Sequence, residues 1–493
     1  MTGFDAIVVG SGAGGGTAAA VLAEAGKRVL ILERGRHITY DDLGDHRYSG
    51  RSAIMVGGGT RVYGAQAWRF LPDDFRMATV YGSPAGSSLV DWPIGYDDLA
   101  PYYERVEWQI GVSGDSAAAE RFWPRTKGFP MPPMRRSRRT AVLRDGAARL
   151  GWGTVAVPML INSEPRDGRG ACRNRQFCVG VACPAEAKNG THNTMLPRAL
   201  ATGRATLLTE VTVDRIECGP GGQVTGVSYV DSAGRRHEAR ADVVVCSAGA
   251  IATALLLMAS ATPAEPAGLG NRHDQVGRHL QGHAWARVHA ELPEPVFDGV
   301  GPGPSVATVD FSHGNDGVIG GGMLSDQFVT SPAAFWGGSV PPDVPRWGAA
   351  NKRYMRDTFR RGVTVAGPVQ EIPSAEARVL PDGTFAGTTH PTTLDTAAFM
   401  DIKAREWLGA AGALRMWSRP ATLVVHAGQH IAGTCRMGDD PRTSVVDRWG
   451  RVHGHDNLFV ADASVHVTNG GFNPVLTVMA LAWRTAEHIG AGW

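Results

Sequence analysis

The stretch Asp5 to Gly35 constrains this chain more than any other, because it reads as one complete strand, phosphate turn, helix and strand. Ala6-Ile7-Val8-Val9 is an uncharged run suited to a buried parallel strand, and Gly10-Ser11-Gly12-Ala13-Gly14-Gly15 follows at once in G-x-G-x-x-G form. The first glycine permits a tight turn, the second lets backbone approach a pyrophosphate, and the third lets a helix pack close to the sheet. Thr17 to Ala25 supplies a small-residue helix whose N-terminal amides face the phosphates, and Lys27-Arg28 end it. Val29-Leu30-Ile31-Leu32 is the second strand. Glu33 closes it twenty-three residues after Gly10, where a carboxylate accepts from ribose hydroxyls and repels a 2′-phosphate. A lone glycine pattern says little in a chain with 64 glycines, but strand, turn, helix, strand and acid in this order specify a dinucleotide site. Whether its ligand is FAD or NAD stays open on these residues.

A chain of 493 residues exceeds most single cores, so two intertwined domains are expected. Lys plus Arg is 49 against 47 for Asp plus Glu, which gives no electrostatic case for nucleic acid or an acidic surface. The N-terminus runs from Met1 straight toward the first strand with no signal-peptide pattern, so a cytoplasmic protein is expected. Val243 to Ala261 is uncharged over nineteen residues, about the length of a membrane span. Its β-branched start, the Ser247-Ala248-Gly249-Ala250 break and the apolar run Ile251 to Met258 read instead as strand, turn and helix. The six cysteines are scattered through a large chain, and disulfides are not expected. Asn189-Gly190-Thr191 matches a glycosylation pattern that an unexported chain has no use for.

A second glycine-rich stretch, Val56-Gly57-Gly58-Gly59-Thr60, places backbone without side chains where a flat ligand approaches closely. From Tyr96 to Glu107, Leu99, Tyr102, Tyr103 and Val106 recur at helical spacing, as core residues do. Gly114 to Gly151 is richer in charge and proline and reads as a boundary, with Arg135, Arg136, Arg138 and Arg139 on a solvated face. Cys172, Cys178 and Cys183 are spaced C-x₅-C and C-x₄-C, unlike the C-x₂-C pairs of most iron-sulfur sites, and buried thiols near the cofactor are the preferred reading. Strands from Thr206 onward continue the dinucleotide sheet, whereas His283 to Gly367, with short alternating strands and many glycines, fits an antiparallel substrate domain. Ser331 to Gly348, where Gly337-Gly338 and Pro341-Pro342 flank aromatics, reads as a mobile lid over the substrate. His426 and His430 are four apart, but they follow a strand-like run with no acid in H-E-x-x-H form, and no metal is expected.

The segments His430 to Gly438, Asn457 to Ser464 and Gly470 to Thr477, together with the two glycine stretches, resemble the glucose-methanol-choline (GMC) oxidoreductase family in family order over nearly the whole chain. The resemblance implies an α/β chain, α+β overall. A Rossmann-like FAD-binding domain (1–95, 190–282 and 431–493) would interleave with an antiparallel-sheet substrate-binding domain (96–189 and 283–430). It also implies FAD. Carried over by motif, Gly10, Gly12, Ala13, Gly14, Gly15, Glu33 and Arg34 hold the ADP half, with Val211 by the adenine and Gly58 and Thr60 on the second glycine stretch. Asp462 and Ala463 approach the phosphate and ribityl region, and Asn473, Pro474 and Thr477 complete the cofactor contacts. Thr60-Arg61-Val62 stands where some pyranose oxidases carry a flavin-linking histidine, so the FAD is expected to be non-covalent. Asp91-Trp92-Pro93, the cysteine loop and Gln370 to Ser374 look most like the bacterial sugar-oxidising branch of pyranose oxidases, glycoside 3-oxidases and gluconate-type dehydrogenases. The resemblance therefore implies oxidation of a ring secondary alcohol of a sugar or glycoside, at C3 or C2, with His430 and Asn473 as the catalytic pair and oxygen, a quinone or a protein as the acceptor. The alternatives are a gluconate-type dehydrogenase for another alcohol or polyol and a flavin-binding protein without redox catalysis; the presence of both His430 and Asn473 argues against the last.

Overall fold

The protein is described from a computed structural model, which covers residues 3–43, 53–328, 331–423 and 430–492. Strand β1 (Phe4–Val9) lies at the centre of a sheet, with β2 (Val29–Leu32) and β3 (Ala205–Leu208) parallel to it on one side. All four side chains of β2 are buried, as a strand covered on both faces requires. Helix α1 (Ala13–Glu24) starts four residues earlier than its composition indicates, directly after Gly12, so that three glycines form its first turn. It ends before Gly26, whose φ of +88° turns the chain back toward the sheet. Residues Gly14 to Ala23 are all buried, and α1 packs against the C-terminal helix Val475–Gly492.

Strands β4 (Thr212–Cys218), β5 (Val224–Val230) and β6 (Arg236–Cys246) form an antiparallel meander. β6 is long enough to serve two layers. Its first half pairs with β5, and its second half, Val243 to Cys246, runs parallel to β1 and to the strand Leu458–Val460. The uncharged stretch thus divides into the end of β6 and the helix Ala250–Ala259, and among the described residues no helix is long and apolar enough to cross a membrane.

The second sheet is antiparallel. The strand Arg415–Ser418, β7 (Trp285–Glu291), β10 (Gly362–Pro368), β9 (Leu324–Asp326) and β8 (Ala307–Thr308) follow one another across it. Alternation along β7 sets its two faces. Ala284, Ala286, Val288 and Ala290 are buried in a core with Trp407, Leu408 and Met400 of the helix Thr392–Ala410. His283, Trp285, Arg287 and His289 occupy the other face.

Several elements differ from their sequence reading. The helix Tyr96–Val106 packs on the C-terminal helix, and Leu99, Tyr103 and Val106 enter the core of the dinucleotide sheet, so a cut at residue 96 crosses a packed interface. The arginine-rich segment forms the helix Arg138–Arg149, capped by Ser137, and Arg139 is not on a solvated face: it pairs with the buried Asp326 at 2.8 Å. The expected lid carries the helix Pro332–Gly338, in which Phe335 is buried against Phe359 with ring centroids 5.5 Å apart. Trp347 beside it is 84% exposed. His426 lies outside the described residues.

Candidate active site

The two glycine stretches meet. Gly57 N–H donates to Ser11 Oγ at 3.0 Å, and Gly58, at φ +53°, lies so close to Gly12 that a Cβ on Gly58 would sit 3.0 Å from Gly12 Cα. Not every glycine of the turn is small for the same reason. A Cβ on Gly14 would lie 1.7 Å from the Ala461 carbonyl oxygen, and one on Gly10, at φ +98°, 2.5 Å from that of Ser247, so these positions serve backbone packing. A Cβ on Gly12 would meet only Gly58 Cα, at 4.0 Å. Gly12 therefore borders open space at the start of α1, where amide N–H groups face outward. This is the cradle a pyrophosphate needs, and the residues fit the ADP half of FAD.

Glu33 is buried at the end of β2. One carboxylate oxygen accepts from Ser11 N–H at 2.9 Å and Ser11 Oγ–H at 2.6 Å, and the other accepts from Gly35 N–H at 2.7 Å. The carboxylate is thus fixed beside the turn with acceptor capacity left for a ribose. Val211 adjoins it, its N–H donating to the Glu33 carbonyl at 3.1 Å, while Arg34 is exposed at the rim. Ala13 opens α1, and Thr60 is buried with its hydroxyl on the Gly57 carbonyl at 2.7 Å.

Asp462 plays a different part from the one its motif implies. Its carboxylate accepts from Gly249 N–H (2.9 Å), Thr253 Oγ1–H (2.6 Å), Ser464 N–H (2.9 Å) and Ser464 Oγ–H (2.5 Å). All four acceptor sites are engaged within the protein, so the side chain clasps the start of helix Ala250–Ala259 to the turn Ala463–Val465. Its backbone is what lies against Gly14. Ala463 accepts from Gly433 N–H at 3.1 Å. Pro474 leads into the C-terminal helix, and the buried Thr477 hydroxyl on its first turn meets the Tyr103 hydroxyl at 2.7 Å, so it is turned to the core.

His430 and Asn473 come together from distant segments, with Asn473 Nδ2 3.1 Å from His430 Nε2. The other ring nitrogen, Nδ1, lies 2.8 Å from Nδ1 of His283. His283 Nε2 is 2.8 Å from the Gly470 carbonyl oxygen, which only accepts, so that nitrogen carries the hydrogen. Burial pushes the His283 pKa down to about 4, so the ring is neutral and its Nδ1 is an acceptor. The proton between the two rings therefore belongs to His430 Nδ1. The Nε2 lone pair of His430 accepts from Asn473 Nδ2–H, and burial holds the ring well below the usual histidine pKa. Asn469 secures the arrangement by donating to the His430 carbonyl at 2.6 Å and the Gly282 carbonyl at 3.1 Å. Asn473 Oδ1 is buried without a partner among the described residues.

Sequence reading found His430 and Asn473 but missed His283, Asn469 and Trp285, whose ring centroid lies 5.8 Å from that of His430. The alternation of His283, Trp285, Arg287 and His289 with small apolar residues was the available signal for a strand presenting a polar face. The thiols of Cys172, Cys178 and Cys183 are free, and among the described residues no group of three or more His, Cys, Asp or Glu side chains is placed to hold a metal ion. Asn189 is fully buried, its amide donating to the Gly111 carbonyl at 2.8 Å and to Asn162 at 2.7 Å, and it is closed to glycosylation.

Comparison with known proteins gives the same picture over the whole chain. Family models described as GMC oxidoreductase match residues 4–285 and 339–482. The chain is 31% identical to 6'''-hydroxyparomomycin C oxidase of Streptomyces lividus and 30% identical to paromamine 6'-oxidase of Streptomyces fradiae, each match covering 99% of this chain and 91% of the relative. Among solved structures, pyridoxine 4-oxidase from Mesorbium loti superposes with a TM-score of 0.68 at 18% identity, over 98% of this chain and 99% of that one, a likeness of fold. The chain belongs to the GMC oxidoreductases, FAD-dependent flavoenzymes that oxidise alcohols.

Proposed function

We propose that this enzyme oxidises an alcohol of a sugar-like, polyhydroxylated small molecule, with His430 as the base and Asn473 as the orienting donor. The observation that carries the reading is the proton chain from Gly470 through His283 to His430, which leaves one buried, unprotonated nitrogen facing one amide donor. Gly10, Gly12, Ala13, Gly14, Gly15, Glu33, Arg34, Gly58, Thr60 and Val211 would hold the ADP half, and the backbone of Asp462, Ala463, Asn473, Pro474 and Thr477 the remainder. FAD, when bound, supplies the acceptor for the carbinol hydride. Arg61, in place of a linking histidine, is buried and paired with Glu186 at 3.1 Å, in keeping with non-covalent binding.

An alcohol is a poor hydride donor until its O–H proton is leaving. His430 Nε2 takes that proton, and the cation so formed is spread over a ring whose Nδ1–H already donates to neutral His283. Asn473 Nδ2 donates to the oxygen as negative charge builds on it, and this fixes the reacting carbon. The carbon-bound hydrogen leaves with its electron pair and a carbonyl forms, so proton and hydride together account for the two-electron oxidation.

The position oxidised has two readings. The sugar-oxidising resemblance favours a ring secondary alcohol, giving a ketone. The Streptomyces relatives are named for position six, which favours an exocyclic alcohol. Both are named oxidases, which supports oxygen as the acceptor over a quinone or a partner protein. Anaerobic flavin reduction by a panel of sugars and glycosides, followed by reoxidation in air, tests the reading. His430→Ala is expected to keep FAD and its spectrum yet to be reduced ~10²–10⁴-fold more slowly. Normal reduction by that variant with FAD fully bound would remove His430 from the mechanism.

A further inference from the structure

The catalytic face of β7 carries charge that the proposed chemistry does not use. Trp285 packs on the His430 ring, and Arg287 follows it on the same face, roughly 7 Å farther along the strand, with its guanidinium 5.7 Å from the Trp285 centroid. His289 comes next, stacked on Trp417 at 5.9 Å, and Trp417 is its register partner on the neighbouring strand. Arg419, just beyond that strand, continues the register opposite Arg287. The charges of both arginines, after burial, hold the His289 pKa down at about 4.

What distinguishes these two arginines is the lack of a counter-charge. Farther out on this sheet, Arg361 is paired with Glu291 and Arg415 with Asp343. Among the described residues no carboxylate is paired with Arg287 or Arg419. Arg287 is exposed to water yet crowded enough that burial alone draws its pKa below the ordinary guanidinium value. The buried Glu371 is engaged by backbone, accepting from Gly282 N–H at 2.8 Å. Two uncompensated guanidinium groups beside an aromatic platform form a receptor for an oxyanion, because guanidinium matches carboxylate and phosphate in both charge and shape.

We propose that the substrate of this enzyme is acidic: a polyhydroxylated alcohol bearing a carboxylate or phosphate that Arg287 and Arg419 hold, while Trp285 supports its apolar face and His430 meets its reacting hydroxyl. This rests on the sugar-alcohol reading above and narrows it. It also sets the chain apart from its relatives named for aminoglycosides, whose ammonium groups these guanidinium groups would repel.

The test uses FAD-loaded enzyme and four probes of similar size: gluconate, glucose 6-phosphate, glucose and glucosamine. Each is scored by anaerobic flavin reduction and by perturbation of the oxidised flavin spectrum. An acid is expected to surpass the neutral sugar about 10- to 100-fold in kcat/KM, with glucosamine poorest, and gluconate against glucose 6-phosphate identifies which oxyanion fits. In Arg287→Gln the ratio of acidic to neutral kcat/KM should collapse through KM, and Arg419→Gln should do so to a smaller degree. Equal use of all four probes, or a variant that weakens acidic and neutral sugars alike, overturns the proposal. Spectral perturbation by the acids without flavin reduction would support the oxyanion site and overturn the sugar-alcohol reading instead. Silence from all four in both measurements would overturn both.

Discussion

His430 owes its chemistry to neighbours that no motif connects to it. The ring would be an ordinary histidine, with a pKa of about 6.5 and its hydrogen free to sit on either nitrogen, if burial and His283 did not act on it. Base catalysis needs the neutral ring. Because its pKa lies well below the usual value, the ring stays unprotonated as the pH falls through 6.5, and activity is lost only on further acidification. Flavin reduction at saturating substrate should therefore be level across pH 6 to 8, with its acid limb below the ordinary histidine range. His283→Leu removes the neutral acceptor for Nδ1–H, which steadies the cation that His430 becomes on taking the proton. Reduction should slow about 10- to 100-fold with FAD retained, and the acid limb should move farther downward. A slower variant with an unshifted limb would make His283 a packing residue only. His430 and Asn473 were legible because they sit in a contiguous motif. His283 was not, since its partner is 147 positions away and only the packing of two sheets brings them together.

At the scale of elements, the unit from β1 to Glu33 was legible almost residue by residue, because each part is local: an uncharged strand, a glycine turn, a small-residue helix. The roles of the individual glycines were not, because they depend on what arrives from elsewhere in the chain. Gly14→Ala should not yield folded protein, since its methyl group would strike the Ala461 carbonyl at 1.7 Å. Gly12→Ala meets nothing closer than 4.0 Å, so it should fold with a near-normal melting temperature and lose FAD affinity by at least tenfold, read by flavin fluorescence on dilution. An alanine at position 12 that keeps full FAD affinity would show that the cradle lies elsewhere. Asp462 was read as a cofactor contact because its motif is continuous with the flavin segment, yet its carboxylate is spent on Gly249, Thr253 and Ser464. Asp462→Ala strands these buried donors and should cost at least about 2 kcal/mol of stability, seen as a lower melting temperature in the FAD-free protein as well. Phe335 of the expected lid is a related case: Pro and Gly flank it in sequence, but Phe359 buries it.

For the molecule as a whole, packing two sheets and a cofactor cleft together leaves many histidines out of water. Burial lowers His192, His283, His289 and His466 to about 4, and His279 and His430 well below 6.5. The unfolded chain binds protons at these rings from about pH 6.5 downward while the folded chain does not, so each one withdraws stability as the pH falls from 6.5 through its folded pKa. Glu371 acts in the opposite sense. Burial raises it to about 7, so it holds a proton in the folded state between its ordinary value and neutrality and loses its contribution as the pH rises through 7. His453 and His488 are lowered as well, and only His313 among the shifted histidines is raised, by Asp74 against the effect of burial, so the depressed imidazoles control the acid side. The exposed pairing of Asp274 with Arg278 and Arg378 places its pKa at about 2 and so falls outside this window. Thermal melts of the FAD-loaded enzyme should therefore shift steadily downward between pH 6.5 and 4.5 and change little from 7 to 8. A melting temperature that holds or rises on acidification through that range would mean the histidine cluster is hydrated or charged in the native enzyme, and the neutral His283 on which the proton chain to His430 depends would fall with it.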